Sequence, residues 1–155
     1  MRGLVLVDGF VNVSDLRMQK GMNSMLKTFQ ADRSKFTDGF VRSMYATKQK
    51  EEYIQHVKEE SQKTPTNTAV VEMFNVLSKG DFTAILAKLD KPVLYICEAQ
   101  LEFEAKILQK SLPNARVEVF KNAGHAIFVD DAERFNKVLA EFSDSLIASS
   151  HKTNN

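Results

Sequence analysis

Three short runs rich in β-forming residues divide the chain and predict β-strands. They cover Gly3–Val7, Val93–Cys97 and Ala115–Phe120, and β-branched or aromatic residues are frequent in all of them. The first two are apolar throughout, which is typical of strands in a parallel sheet that is covered on both faces. Because helical patterns separate the strands, we expect an α/β fold with about three parallel strands and flanking helices.

Residues 14–80, between the first two strands, follow a helical period. A charged segment spans Lys48–Lys63, and a further segment begins after Thr64-Pro65 and ends at Gly80, a favourable C-cap. Two earlier segments carry apolar residues at helical spacing: Met18, Met22, Met25, Leu26, Phe29, Phe36, Phe40, Val41, Met44 and Tyr45. We therefore expect four helical segments in a layer of their own.

The rest of the chain alternates helices with strands. Asp81–Leu89 reads as a short helix, and Gln100–Leu112 and Ala132–Ile147 show the spacing of amphipathic helices. Polar residues dominate from Ser149 onward, so we expect residues 149–155 to be a disordered tail.

Composition narrows the class of protein. The 155 residues have the size of one domain, with 43% hydrophobic and 26% charged residues, as in soluble globular proteins. The net charge of +1 gives no strong field for nucleic acid or an anionic membrane. No apolar run reaches the ~20 residues of a membrane span, and no signal peptide is evident. We expect a cytoplasmic protein, with Cys97 an inert buried thiol.

The run Asn122–Asp131 (NAGHAIFVDD) holds a histidine between the third strand and the last helix. Gly124 gives the turn its backbone freedom, and Asp130 or Asp131 supplies an N-cap for the helix. His125 would then be held rigidly at a place where catalytic residues are often found. The alternative is a loop histidine that satisfies only a local hydrogen bond.

Segments at both ends of the chain resemble one family. Pro113–Phe142 resembles the C-terminal end of an α/β-hydrolase, where a last strand, a Gly-His turn and a closing helix present the triad histidine. Lys91–Cys97 and Arg2–Asp8 are similar to the two preceding strands of that family. The resemblance covers nearly the whole chain but only the C-terminal half of the family's fold. It implies a partial core from residues 1–11 and 81–148, with residues 12–80 inserted as a helical cap, or lid.

The family's chemistry needs a serine nucleophile, an acid and a histidine. The resemblance implies that His125 is the general base. Asp8, at the end of the first strand, is the first choice for the acid, with Glu98 and Glu102 as alternatives; a plain strand-end Asp-Gly turn is the other interpretation of Asp8. No Gly-x-Ser-x-Gly motif occurs in the chain, so the nucleophile is missing.

A small-molecule substrate would bind beside these residues. If the substrate binds under the implied lid, Phe10, Met22, Met25 and Phe128 are candidates for the pocket wall. The alternative is that they are core residues, as Met and Phe at helical spacing more often are. The three scattered histidines and single cysteine give no metal-ligand spacing, so we expect no metal. No phosphate loop or dinucleotide fingerprint implies a cofactor.

Two functions fit these patterns. The first is an ester or related small-molecule hydrolase whose nucleophile comes from a complementary N-terminal fragment. The second is a non-catalytic remnant of the fold that associates with itself. In the complete family fold another strand pairs with the equivalent of Gly3–Val7, and the bare edge left here predicts a homo-oligomer.

Overall fold

A computed structural model describes residues 1–14, 16–78 and 80–152 of the chain. Three strands, β1 (Leu4–Val7), β2 (Val93–Glu98) and β3 (Arg116–Phe120), form one sheet in the order β1-β2-β3. Both pairings are parallel, with Leu6 opposite Tyr95 and Ile96 opposite Glu118. The predicted fold class is therefore confirmed.

Helices connect and cover the strands. Their bounds are α1 Leu16–Ala31, α2 Arg33–Ser43, α3 Glu51–Gln62, α4 Thr66–Ser78, α5 Thr83–Leu86, α6 Glu102–Ser111, α7 Ile127–Asp130 and α8 Ala132–Lys152, with a 3₁₀ turn at Ala99–Leu101. Helices α1 to α4 confirm the four helical segments expected between the first two strands. The short α7 was not predicted. None of the helices in the described ranges is long and apolar enough to span a membrane.

The end of the chain differs from the expectation. Helix α8 continues through Ser149 to Lys152, so the first four residues of the segment that we expected to be disordered are helical. The rest of that segment, residues 153–155, lies outside the described residues.

The central strand β2 is buried on both faces, as its apolar run predicts. On one face, Val93, Tyr95 and Cys97 pack against the 3₁₀ turn and α6. The partners there are Leu101, Ala105 and Leu108. The alternate residues Leu94 and Ile96 pack on the other face, where the partners are Phe120, Ile127, Val138 and Phe142. The sheet therefore lies between α6 on one side and α7 with α8 on the other, which leaves the carboxyl ends of its strands free for a site.

A short two-stranded neck joins residues 12–80 to the sheet. Asn12 and Asp81 form an antiparallel bridge. On either side of it, Val13 N–H donates to Gly80 O at 2.9 Å and Phe82 N–H donates to Val11 O at 3.0 Å. The helical segment thus leaves and re-enters the core at one point, directly after β1.

The helical segment contacts the core a second time, at the loop that carries His125. Asp130 Oδ2 accepts the N–H groups of Gly124 and Ala46, each at 2.8 Å, and its Oδ1 accepts the N–H of Thr47 at 3.0 Å. Burial alone would raise the pKa of Asp130. These three hydrogen bonds, together with one from the Thr47 hydroxyl, hold it below its usual value. One carboxylate therefore joins the α2–α3 loop to the histidine loop.

The two backbones also touch directly. Ala126 N–H donates to Met44 O at 2.8 Å, and a Cβ at Gly124 would lie 2.8 Å from the same carbonyl oxygen. Glycine is needed at position 124 because the backbone of the α2–α3 loop approaches so closely.

The sequence offered Asp130 or Asp131 as the cap of the last helix. Asp131 caps α8, and its side chain accepts the N–H of Arg134 at 3.4 Å.

We expect Asp130→Asn to lower the free energy of unfolding by about 1–3 kcal/mol, because an amide nitrogen would replace one of two oxygens that accept backbone N–H groups. The matched control is Asp131→Asn, which should change stability by less than about 0.5 kcal/mol, since Asn caps helices as well as Asp does. Urea unfolding at neutral pH measures both. Equal effects of the two substitutions would show that Asp130 does not join the loops.

Candidate active site

His125 lies between the end of β3 and the start of α7. The residues on either side of it in this loop are buried: Ala123, Ala126 and Ile127. The histidine side chain itself is 51% exposed. The loop is thus anchored in the core while the imidazole reaches the surface.

Asp8 meets His125 at the carboxyl end of the sheet, although 117 residues separate them in sequence. Its Oδ2 lies 2.7 Å from His125 Nδ1, and its Oδ1 accepts the N–H of Glu98 at 2.8 Å. The residue is only 3% exposed. Parallel strands end at the same edge of a sheet, so the ends of β1 and β2 and the loop after β3 converge there.

The backbone of Asp8 adopts a left-handed conformation, with φ of 47°. Aspartate tolerates this region better than most side chains do. The turn is held on both sides: Asp8 N–H donates to Ile96 O at 2.7 Å, and the Tyr95 hydroxyl donates to Gly9 O at 2.9 Å. The carboxylate is therefore aimed at His125 by contacts within the core.

The charges at the site favour a protonated imidazole. The hydrogen bond with Asp8 raises the pKa of His125, while burial opposes the shift. Burial, followed by the negative charge of Asp8, raises the pKa of Glu98. His125 Nε2 makes no hydrogen bond to any residue that the structure describes. The imidazole can therefore take a proton on Nε2 while Nδ1 stays bonded to Asp8.

Of the three candidate acids, the structure brings only Asp8 to the imidazole. Glu98 supplies its backbone N–H to Asp8 and keeps a partly buried side chain nearby. Glu102 forms an ion pair with Lys106 on the surface of α6, at 3.1 Å, and takes no part in the site.

The four candidate pocket residues lie in three separate parts of the chain: after β1, in α1 and in α7. Phe10 is 37% exposed and lies beside the free edge of β1. Phe128 is 53% exposed and packs edge-on against Phe135, with ring centroids 6.1 Å apart. Met22 and Met25 are half-buried on α1. That these residues line a substrate pocket stays a prediction.

Sequence reasoning missed Glu104, which is fully buried on α6. Its Oε2 accepts the N–H groups of Val11 and Asn12, at 2.9 and 3.2 Å, and so ties the neck to the core just after Asp8. Burial raises the pKa of this carboxyl group. A signal was available, because Glu104 shares the helical spacing of the buried Leu101 and Leu108.

The nucleophilic serine that this chemistry requires is not found in the sequence. The sequence has no Gly-x-Ser-x-Gly motif. Cys97 is completely buried, and burial raises the pKa of its thiol to about 12, so it is inert as predicted. Among the described residues, no three His, Cys, Asp or Glu side chains are grouped as metal ligands.

Comparison with solved structures identifies the fold. The chain superposes on an esterase from Exiguobacterium antarcticum with a TM-score of 0.77 at 19% identity, covering 90% of this chain and 56% of the esterase. A bromoperoxidase from Bacillus anthracis gives a TM-score of 0.76 at 18% identity, with 92% and 58% covered. MenH from S. aureus gives 0.72 at 15% identity, with 94% and 60% covered.

The chain therefore has part of the α/β-hydrolase fold, and it spans less than two thirds of the length of these neighbours. No family model matches the sequence. One curated protein is 37% identical over 62 residues, which is 38% of this chain and 23% of that protein. It comes from Bacillus subtilis (strain 168) and is provisionally named a 2-succinyl-6-hydroxy-2,4-cyclohexadiene-1-carboxylate synthase.

We expect Asp8→Asn to lower the pKa of His125, because the neutral amide no longer stabilises the imidazolium. A histidine with a raised pKa stabilises the fold fully below its unfolded pKa of about 6.5, and this contribution is lost as pH rises through the folded pKa. NMR titration of the His125 ring protons measures the shift, and the exposed His56 is the internal control. An unchanged His125 pKa in the variant would contradict the pairing.

Proposed function

We propose that the chain supplies the base and the orienting acid of an ester-hydrolysing site of the α/β-hydrolase type. The observation that carries this proposal is the contact between His125 Nδ1 and the buried Asp8, with His125 Nε2 left without a partner among the described residues. Structural similarity to an esterase supports the same reaction class. The substrate would be a small-molecule ester or a related acyl compound.

Each group would have one task in this reaction. His125 Nε2 removes the proton from a hydroxyl nucleophile as that oxygen attacks the acyl carbon, and later gives the proton to the leaving alkoxide. Asp8 holds the proton of the neutral ring on Nδ1 and stabilises the imidazolium that forms. Its second oxygen is already bonded to Glu98 N–H, which keeps the carboxylate from turning away.

The nucleophile would come from a polypeptide segment outside this chain. The missing Gly-x-Ser-x-Gly motif supports this step, and so does the share of the neighbouring structures that the chain leaves uncovered. The donors of an oxyanion hole would arrive with the same segment. A complementary N-terminal fragment is therefore the partner that the reaction needs.

Residues 12–80 would act as the lid of the site. Four bonds join the α2–α3 loop to the histidine loop: Asp130 accepts the N–H groups of Ala46 and Thr47 and the Thr47 hydroxyl, and Met44 O accepts the N–H of Ala126. They support a lid placed over the imidazole. Phe10, Met22, Met25 and Phe128 would form the apolar wall. With a single cysteine the chain cannot form an internal disulfide, which supports action in a reducing compartment such as the cytoplasm.

The test is a chimera in which this chain replaces the superposed part of the Exiguobacterium antarcticum esterase. We expect the chimera to hydrolyse p-nitrophenyl acetate, and His125→Ala to lower kcat/KM by about 10²–10⁴-fold through loss of the general base. Asp8→Asn should also lower the rate, with the pH profile shifted because the imidazole loses its partner.

The matched control is His56→Ala, which alters an exposed histidine of α3 and should leave turnover unchanged. The isolated chain provides a second control: an organophosphonate probe should label none of its serines. A folded chimera whose turnover survives His125→Ala would contradict the proposal, and so would stoichiometric serine labelling of the isolated chain.

A second candidate is a non-catalytic protein that associates with itself. The observation that favours it is the position of β1 at the edge of the sheet, where the described residues supply a strand partner on one side only. A folded chimera with no ester turnover would favour this candidate over the first.

A further inference from the structure

Glu98 ends β2 beside the candidate site, and the proposed reaction gives its carboxylate no task. The residue is half-buried, and its backbone N–H donates to Asp8 Oδ1 at 2.8 Å. No residue that the structure describes makes a hydrogen bond or ion pair with its side chain. A partly buried carboxylate without a partner costs desolvation energy that a neutral side chain would not. This carboxylate is therefore left to act on whatever approaches the imidazole.

The side chain of Glu98 points to the face of the sheet that carries the histidine loop. The backbone is still extended at this residue, with φ of −69° and ψ of 164°. Because successive side chains of a strand point to opposite faces, Glu98 shares a face with Ile96. Ile96 packs there with Phe120 and with Ala123 of the histidine loop, and Phe120 lies opposite Glu98 in the register of the sheet. The strand therefore directs the Glu98 carboxylate to the side on which His125 lies.

The charge of Glu98 acts on the pair of Asp8 and His125. The hydrogen bond with Asp8 is the largest cause of the raised pKa of His125, and the negative charges of Asp8 and Glu98 add to it. In return, the charge of His125 lowers the pKa of Glu98, against burial and the charge of Asp8, which raise it. The imidazole is neutral when it acts as a base, so two negative charges then lie beside it.

The neighbouring elements offer little to offset the charge of Glu98 within the described ranges. Glu102 is paired with Lys106 on the surface of α6, and Asp130 is bonded to backbone groups of two loops. Lys121 is exposed in the turn after β3, and its charge is not among those that shift the pKa of Glu98. An anionic reactant that approaches the imidazole therefore meets a repulsion that an uncharged reactant does not.

We propose that Glu98 is a specificity-determining residue, whose carboxylate makes the site react with uncharged acyl compounds in preference to negatively charged ones. This inference rests on the proposed function, since it concerns the reactant of the same base. It names the contribution of one side chain, so it holds whatever charges a complementary segment brings.

Alkylation of His125 in the isolated chain measures this preference without ester turnover. Iodoacetamide and iodoacetate are nearly equal in size, but only iodoacetate is negatively charged. With either reagent, the lone pair of Nε2 forms a bond to the methylene carbon as iodide leaves, and the imidazolium that forms keeps its Nδ1 proton bonded to Asp8. Mass spectrometry of the peptide that contains His125 gives both rates. Their ratio cancels the fraction of imidazole that is neutral.

We expect Glu98→Gln to lower the ratio of the iodoacetamide rate to the iodoacetate rate by about three- to tenfold, as for the loss of one charge close to the reacting atom. The change should come from faster reaction with iodoacetate. Glu98→Asp keeps the charge and should keep most of the ratio. The matched control is Glu102→Gln, which removes the same charge from the surface of α6 and should leave the ratio unchanged.

High salt tests the same point without a substitution. Because salt screens exposed charges, the ratio of the wild-type chain should fall towards that of Glu98→Gln as sodium chloride is added. In an active chimera, the preference for p-nitrophenyl hexanoate over the p-nitrophenyl monoester of adipic acid should fall in Glu98→Gln as well. The two acyl chains are equal in length and differ in the terminal carboxylate.

An alkylation ratio in Glu98→Gln equal to that of the wild-type chain overturns the proposal. Equal changes of both alkylation rates also overturn it, because Glu98 would then only shape the loop around the imidazole. A chimera that does not hydrolyse p-nitrophenyl acetate counts against the proposed function alone, since the alkylation ratio of the isolated chain needs neither a nucleophilic serine nor turnover.

Discussion

The structure depends on one buried carboxylate at the carboxyl edge of the sheet. Asp8 is almost inaccessible to solvent, so its charge must be satisfied by the protein. One oxygen accepts the N–H of Glu98 at the end of β2, and the other contacts His125 after β3. A hydrogen bond to a charged group is worth about 1.5–3 kcal/mol. A single side chain thus joins the ends of all three strands and orients the imidazole.

The surrounding contacts keep that carboxylate in place. Tyr95 holds Gly9, and Glu104 holds Val11 and Asn12, so the turn after β1 is anchored at successive residues. On the other side, Asp130 ties the histidine loop to the α2–α3 loop. Any displacement of the helical segment would be transmitted to both members of the pair. The position of residues 12–80 is therefore coupled to the geometry of Asp8 and His125.

Much of the fold could be predicted from local sequence patterns. The β-rich runs placed β1, β2 and β3 within one residue of their observed starts, and the burial of Val93–Cys97 in β2 follows from a run without polar positions. Helix α7 was missed because IFVD is a single turn with no periodicity to detect. The end of α8 was missed because a long helix can continue through polar residues when its first turns are well packed.

The site was predictable only in part. Asp8 directly follows β1 and His125 lies in the loop after β3, and parallel topology brings such positions together whatever their separation in sequence. Glu102 was a reasonable alternative by sequence, but its place on the outer surface of α6 depends on the rotation of that helix. The link made by Asp130 could not be foreseen, since it joins backbone N–H groups that only the packed structure brings together.

We infer that Asp8 orients His125 as a base with Nε2 free to accept a proton. The tautomer of the neutral imidazole tests this most directly, and long-range ¹H–¹⁵N correlation spectra at a pH above the His125 pKa determine it. We expect the proton on Nδ1, bonded to Asp8, and Nε2 with the chemical shift of an unprotonated nitrogen. A neutral ring with its proton on Nε2 would show that Asp8 does not orient the base in this way.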